Sequence, residues 1–315
     1  MAVYAGLLEF GDRILALNLN GGGHLSHGAS VSLTGQNYEV KRYAVDPETG
    51  ALDYESIEKQ AREFDPDLVV SGYSAYPRTV DWERMQEIAD VADAYHMADI
   101  AHITGLVAAG EHPSPVGVAD VVTGSTHKTI RSGRGGMVLT NDEELASAID
   151  SAVFPGIQGG PLMHNIAGKA VGFKQALEPE FEEYAAAVVA NANAMAEQFI
   201  ENGLSPVSGG TDIHLVLLDL RESHPDVSGL EAHQALEDAG IVANRNRVPD
   251  ETRPREWSGL RVGTAAVTDR GLDADDCREV ADLITRVLDN IDDEDVRATV
   301  RERIQEFCDE NSVYE

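Results

Sequence analysis

PDLVVSGYSA (residues 66–75), DWERMQEIADVADAY (81–95), HMADIAHI (96–103) and ADVVTGSTHKT (119–129) succeed one another in the first half of the chain. The first, third and fourth read as short buried strands, and the second reads as a helix. Working outward, RILALNL (13–19) and YEVKRYAV (38–45) are two earlier strands, separated by the glycine-rich loop NGGGHLSHG (20–28). DYESIEKQAREF (53–64) is a helix with Asp53 at its N-cap and Glu in its first turn, and GRGGMVLT (133–140) is a later strand. Strand–helix alternation of this kind predicts an α/β layer fold with a mainly parallel sheet. In such sheets chemistry gathers at the carboxyl ends of the strands.

From about Gly160 the texture changes. LMHNIAGKAVGFKQAL (162–177) and EPEFEEYAAAVVANANAMAEQFIENG (178–203) are long helices, the second stopped by Gly203. DIHLVLLDL (212–220) reads as a strand, SGLEAHQALEDAG (228–240) as a helix and SGLRVGTAAVT (258–268) as a strand. Two amphipathic helices, 273–291 and 293–310, close the chain. The expected division is a large domain over 1–175 and a smaller C-terminal α+β domain over 176–315. Residues 2–9, AVYAGLLE, read as the end of a helix that stops at Gly11 with no N-cap ahead of it, so the chain is expected to start inside an element.

The charge excludes several partners. Asp and Glu total 55 against 24 Lys and Arg, a formal net charge of −31, and Lys41, Lys59, Lys128, Lys169 and Lys174 are the only lysines. Such a surface repels nucleic acid and anionic lipid. It also repels itself unless counterions screen it, which a Debye length of about 3 Å at 1 M salt achieves. The composition therefore reads as salt-adapted. No run approaches the roughly 18 apolar residues of a membrane span, and the first residues lack the basic lead of a secretory signal. Two cysteines, Cys277 and Cys308, give no disulfide framework and fit a reducing compartment. The expectation is a cytoplasmic protein without membrane or nucleic-acid partners.

Four motifs carry chemistry. Lys128 sits just past a hydrophobic strand, after His127 and before a tight glycine turn. Desolvated there, its amine would be free to attack an aldehyde; exposed, it would be an ordinary loop lysine. A phosphate-loop reading of GSTHKT fails because the G-x-x-x-x-G-K spacing is absent. Asp99 lies on a hydrophobic strand where an unpaired carboxylate is expensive, so it needs a cationic partner, either an arginine or a protonated pyridine nitrogen. His102 follows three residues on. In NGGGHLSHG the glycines permit positive φ and close backbone approach. His24 and His27 are either a metal pair, which lacks a third and fourth ligand for zinc, or imidazoles that stack on a cofactor ring. Arg261, between glycines on a strand, offers a planar fork to a carboxylate or forms an interdomain salt bridge.

Taken together, the wording of these segments resembles serine hydroxymethyltransferase. The resemblance is carried by NGGGHLSHGASVSLTG (20–35), SAYPRTVDWERMQEIAD (74–90), VVTGSTHKTIRSGRGGMVL (121–139), SAVFPGIQGGPLMHNIAGKAVGFKQALEPEF (151–181), VSGGTDIHLVLLDL (207–220) and SGLRVGTAAVTDRG (258–271). It runs from Ala2 to Tyr314. It implies the aspartate-aminotransferase type of pyridoxal-phosphate fold (fold type I) and a homodimer or homotetramer. It implies interconversion of serine and glycine, the one-carbon unit passing to a reduced pterin carrier. By the same resemblance Lys128 is the Schiff-base lysine, Asp99 pairs with the pyridinium nitrogen, and His24 stacks on the ring. Ser74, His102 and Ser125 contact the cofactor, His127 precedes the lysine, and Gly160 gives an amide to the phosphate of the neighbouring subunit. Arg261 holds the substrate carboxylate, and Leu19, Gly23 and Leu25 match the pterin site. No metal is implied.

Departures from the family pattern are Asn20 for histidine, Gly124 and Ser125 for threonines, and Gly133 and Ala265 for prolines. The family's segment ahead of the opening helix, with its phosphate loop, cross-dimer tyrosine and acid/base glutamate, has no counterpart before Ala2. A catalytically silent homologue that partners a complete subunit, and an aldolase acting on threonine or a related β-hydroxy amino acid, are the rival readings.

Overall fold

The structure is a computed structural model that describes residues 1–251 and 257–312; Tyr314, where the resemblance ends, lies outside the described residues. The chain divides into two compact units. The first comprises Met1–Asp46, Leu52–Ser74 and Thr79–Glu182, and the second comprises Pro47–Ala51, Ala75–Arg78 and the described residues from Glu183 onward.

The first unit is built on a six-stranded sheet of order β2-β1-β3-β4-β5-β6. Its strands are β1 (Arg13–Leu17), β2 (Glu39–Tyr43), β3 (Leu68–Gly72), β4 (Tyr95–Asp99), β5 (Val121–Ser125) and β6 (Gly136–Leu139). All neighbours are parallel except β5 and β6, so the sheet is mainly parallel, as the strand–helix alternation requires. Its helices are α1 (Ala2–Leu7), α2 (Leu33–Asn37), α3 (Tyr54–Phe64), α4 (Trp82–Asp90), α5 (Thr104–Ala108), α6 (Glu143–Ser151) and α7 (Met163–Gln175). Side chains alternate across a strand, and both faces of this sheet are covered. Ile14, Ala16, Leu68, Val70, Met97 and Val121 cluster with Val3, Tyr4 and Leu8 near α1 and with Ile149 of α6. Leu15, Leu17 and Val69, the intervening residues, are equally buried, and α3 and α4 pack against the strands.

Parallel strands bring their carboxyl ends to one edge. Gly72 pairs with Asp99 in register, and Asp99 with Thr123. The loops that follow β1, β3, β4 and β5 therefore leave the sheet side by side. Gly72, at φ 118°, shows how tight this edge is, because a Cβ there would lie 2.2 Å from the Asp99 carbonyl oxygen. The strand expected over 96–103 ends at Asp99. Residues 100–103 turn instead, with the Ile103 amide donating to the Ile100 carbonyl at 2.9 Å.

Helix α8 (Pro179–Glu201) leads into the second unit, whose four-stranded antiparallel sheet has the order β7-β8-β10-β9. Its strands are β7 (Ser205–Pro206), β8 (Leu215–Asp219), β9 (Asn244–Asn246) and β10 (Gly259–Gly263). The helices α9 (Leu220–Ser223), α10 (Gly229–Asp238), α11 (Ala265–Asp269), α12 (Ala274–Asp289) and α13 (Glu294–Glu310) complete it. One core joins Val216, Leu218 and Leu260 of the sheet to Leu236, Ile284, Leu288 and Phe307 of the helices. The strand expected over 258–268 stops at Gly263, and residues 265–268 are helical. Thr264 ends it: its amide bonds the His214 carbonyl at 2.9 Å and its buried hydroxyl bonds the Val188 carbonyl at 2.8 Å.

Candidate active site

Around the carboxyl edge of the first unit's sheet lies a cavity of about 1270 Å3, larger than the roughly 300–1,000 Å3 usual for small-molecule pockets. Its wall includes His24, Asp99, His102, Ser125, His127 and Lys128. Six of the residues singled out from the sequence are thus gathered from three loops and two strand ends.

Asp99 closes β4. Its Oδ1 accepts the Ala101 amide at 2.9 Å, a local turn that fixes the carboxylate plane. Its Oδ2 meets Nε2 of His27 at 2.9 Å, and the His27 side chain is only 1% exposed. Burial alone would push the Asp99 carboxyl toward its neutral form. The hydrogen bond and charge of His27, the Ala101 amide and the charge of His24 outweigh that, so the carboxyl is held below the usual carboxylate range. The partner of this strand carboxylate within the chain is therefore a histidine, not an arginine.

His24 and His27 share the loop after β1. Their rings lie 5.7 Å apart and nearly edge to face, so the two point to different partners and do not converge as a metal pair. Among the described residues, no group of three or more His, Cys, Asp or Glu side chains gathers as a metal site. Nδ1 of His24 accepts the Ser26 amide at 3.2 Å and lies 2.7 Å from the Ser26 hydroxyl, which places a neutral ring's proton on Nε2. Burial and the neighbouring His27 lower the His24 proton affinity, with Lys128 adding to this and Asp99 opposing it. Gly23 anchors the loop: a Cβ there would lie 2.2 Å from the Leu17 carbonyl oxygen.

Lys128 stands in the turn after β5, half-buried. The turn is cross-braced. Thr126 donates its hydroxyl to the Gly133 carbonyl at 2.6 Å and its amide to the Gly135 carbonyl at 3.0 Å, while the Ser132 amide returns to the Thr126 carbonyl at 2.8 Å. Thr129 Oγ1 donates to the His102 carbonyl at 3.1 Å and accepts the Gly105 amide at 2.9 Å, tying the lysine turn to the loop after β4. Ser125 donates to the Ala101 carbonyl at 2.7 Å. Nδ1 of His127 lies 3.4 Å from the Gly135 amide, which donates to it.

The other candidates fall elsewhere. Ser74 follows β3 and its hydroxyl donates to the carbonyls of Gly22 and Gly23 at 3.3 and 3.4 Å, bracing the glycine loop; it is outside the cavity wall. Leu19, Gly23, Leu25 and Gly160 are also outside it. Gly160 has φ 58° and open space around it. Arg261 is on β10 of the second unit, opposite Leu217 and Asn244, with its guanidinium 3.4 Å from the Asn244 amide oxygen. Tyr4 and Lys169 also line the wall, although no motif singles them out; the scarcity of lysine is the one signal that marks Lys169. Tyr4 is 3% exposed, with a hydroxyl that has no hydrogen-bond partner among the described residues, and Lys169 reaches in from α7. His27 was in view, but its contact with Asp99 spans 72 residues and leaves no local pattern.

A family model described as Serine hydroxymethyltransferase matches residues 1–284. The chain is similar over its whole length to proteins named serine hydroxymethyltransferase. It is 65% identical to that of Halorubrum lacusprofundi and 65% identical to that of Haloarcula marismortui, covering 76% of each relative. It is 51% identical to that of Alkalilimnicola ehrlichii, covering 75% of it. The mainly parallel six-stranded sheet, the smaller antiparallel unit and these matches lead to one conclusion: the chain belongs to the serine hydroxymethyltransferase family, whose enzymes have fold type I and depend on pyridoxal phosphate.

Proposed function

We propose that this chain interconverts serine and glycine, exchanging the one-carbon unit with a reduced pterin carrier, and that it does so with pyridoxal phosphate held in the cavity of the first unit. The observation that carries the reading is the pairing in one wall of an amine, Lys128, with a carboxylate, Asp99, that His27 keeps ionised. A pyridine aldehyde engages both groups, and the Tyr4 hydroxyl, without a hydrogen-bond partner among the described residues, leaves a further donor in the same wall. The residues fit the group. When bound, pyridoxal phosphate supplies an electron sink for charge released at the substrate α-carbon.

The chain's own residues do the rest. Lys128 would supply the amine for the aldehyde. Asp99 would hold a proton on the ring nitrogen, with His27 holding Asp99. His24 is assigned to the ring face, and Ser125, His102 and Ser74 to its oxygen side. His127 orients the turn next to Lys128. Arg261 is assigned to the substrate carboxylate for its planar, always-charged fork. Leu19, Gly23 and Leu25 are assigned to the pterin and Gly160 to the phosphate of a second subunit.

That second subunit is expected to be another copy of this chain, as a homodimer or homotetramer. Phe154, Leu162, Met163, Val171 and Leu177 are all more than half exposed, an apolar run that a copy would cover. We assign residues 1–175 to cofactor binding and 176–315 to the smaller C-terminal domain. No helix of the described residues is long and apolar enough to cross a membrane, and two free thiols suit a reducing cytoplasm.

Borohydride treatment of the protein with pyridoxal phosphate tests the anchor: the fixed label should map to the peptide holding Lys128, and a label on any other lysine overturns the assignment. Serine cleavage with and without the pterin carrier tests the reaction. Carrier-independent cleavage of threonine in preference to serine would make the protein an aldolase, and no turnover with cofactor bound would make it a silent homologue.

A further inference from the structure

Lys169 is one of five lysines in a chain whose other 19 of 24 Lys and Arg are arginine, and it stands with Lys128 in the wall of the same cavity. It reaches from α7 and donates Nζ to the Gly136 carbonyl at 2.9 Å, at the start of β6. Gly135 makes room for it: a Cβ on Gly135 would lie 2.6 Å from both Cε and Nζ of Lys169. The rest of the turn is pressed on α7 in the same way. Ser132 donates its hydroxyl toward the carbonyls of Gly168 and Lys169 at 3.3 Å each. A Cβ on Gly133 would be 2.8 Å from the Asn165 carbonyl oxygen, and one on Gly172 would be 2.3 Å from Ser132 Oγ. Glycines thus stand on both sides of the contact between the turn and α7, and the one at 135 leaves the space that the tip of Lys169 occupies.

From this geometry we infer that Lys169 is a positioning residue for the turn 126–136, fixing where Lys128 presents its amine. The inference rests on the reading of Lys128 as the cofactor-bearing amine. The absence of a Cβ on Gly135 leaves room for the lysine tip, at a site where a lysine stands although the composition elsewhere prefers arginine. The ammonium acts on Lys128 through the backbone: Nζ holds Gly136, Gly135 holds Thr126 and His127, and these flank Lys128.

Two substitutions test it from opposite sides. Lys169→Met removes the ammonium with little change in volume. Gly135→Ala keeps the lysine but displaces its tip, which is the flexible end of a side chain. Both holoproteins, the double variant and the parent are compared by visible circular dichroism of bound pyridoxal phosphate, by the rate of its loss on dialysis, and by Tm. Each single variant should lose cofactor about tenfold faster with an altered visible band, because a reacting group has been misplaced, while Tm stays near that of the parent. The double variant should be no worse than either single one. Parental dichroism and loss rate in Lys169→Met overturn the inference, as do effects that multiply in the double variant. A fall in Tm that tracks cofactor loss in both variants assigns Lys169 to fold maintenance and also overturns it. A borohydride label away from Lys128 in the parent instead defeats the reading on which the inference stands.

Discussion

Asp99 owes its ionised state to a neighbour that burial makes effective. The His27 imidazole is sealed from water, so its hydrogen bond to Oδ2 competes with protein and not with solvent. Replacing His27 with Leu leaves that oxygen in a buried site with only the Ala101 amide on the carboxyl. Losing a hydrogen bond to a charged group costs about 1.5–3 kcal/mol, so His27→Leu should weaken pyridoxal-phosphate retention by roughly 10–100-fold, read by equilibrium dialysis. Retention equal to the parent's would show that Asp99 needs no such support. This contact also marks how far the residue scale can be read from sequence. Lys128 and Asp99 stand out because an ionisable group just after or within an apolar run is expensive. His27 sits among glycines, where nothing local tells its burial. His96 is a second buried imidazole, bonded to Ser71 Oγ at 2.7 Å and Gln86 Oε1 at 3.1 Å. Burial lowers its pKa from 6.5 to about 4. Above pH 6.5 it is neutral whether the chain is folded or unfolded; below that the unfolded chain takes the proton first, so stability falls with pH until about 4. The loss approaches about 3 kcal/mol. Urea midpoints at neutral pH and near pH 4.5 should therefore differ less in His96→Leu than in the parent, and an unchanged difference would remove His96 from the acid sensitivity.

Elements were legible where their ends carry a chemical mark. Asp53 caps α3 by accepting the Ser56 amide at 3.0 Å, as the sequence predicts. The long helices α7, α8, α12 and α13 all form within their predicted spans. Elements that end without such a mark read longer in the sequence than they are. For β4 and β10 the residues that follow, 100–103 and 265–268, are mostly apolar or β-branched, yet a local turn from Ile100 to Ile103 ends β4 and the bonds of Thr264 to His214 and Val188 end β10. Helix α6 has no strong apolar pattern to mark it, although Asp142 caps it through the Glu144 and Leu145 amides. The antiparallel return of β6 has no signature at all, since strand direction is a property of the pair. The capping box on α12 is the cleanest case to test. Asp273 accepts the Asp275 and Asp276 amides at 2.9 and 3.1 Å, and Asp276 returns to the Asp273 amide at 3.1 Å. Cys277, Ile284 and Leu288 of this helix are in the core of the second unit. Asp273→Ala should cost about 1 kcal/mol, within the 0.5–2 range for such caps, seen as a lower urea midpoint with the slope kept. A cost near zero would mean that packing alone holds the first turn.

At the scale of the whole molecule the governing quantity is the net charge of −31. The ion pairs that offset it are peripheral: Arg303 with Glu279 and Glu306, Arg62 and Arg84 with Glu58, Arg278 with Glu197. Exposed pairs contribute only about 0–1 kcal/mol each, so they do not neutralise the long-range repulsion among 55 carboxylates. Screening does. The Debye length falls from about 10 Å at 0.1 M salt to about 3 Å at 1 M, and most of the electrostatic gain should come in that interval. Tm should therefore rise steeply with KCl up to about 1 M and flatten beyond it. A straight rise continuing to several molar would point to salt exclusion from the surface as the larger effect. The C-terminus of α13 offers a local check on the screening. Its last turn carries Asp309 and Glu310 and no basic residue, although the helix dipole there favours a cation. Glu310→Lys should stabilise the protein by about 0.3–1 kcal/mol at low ionic strength. Screening makes this gain fade toward 1 M KCl, where the Debye length is about 3 Å. A gain that persists unchanged at about 1 M KCl would show that it does not come from charge at the helix end.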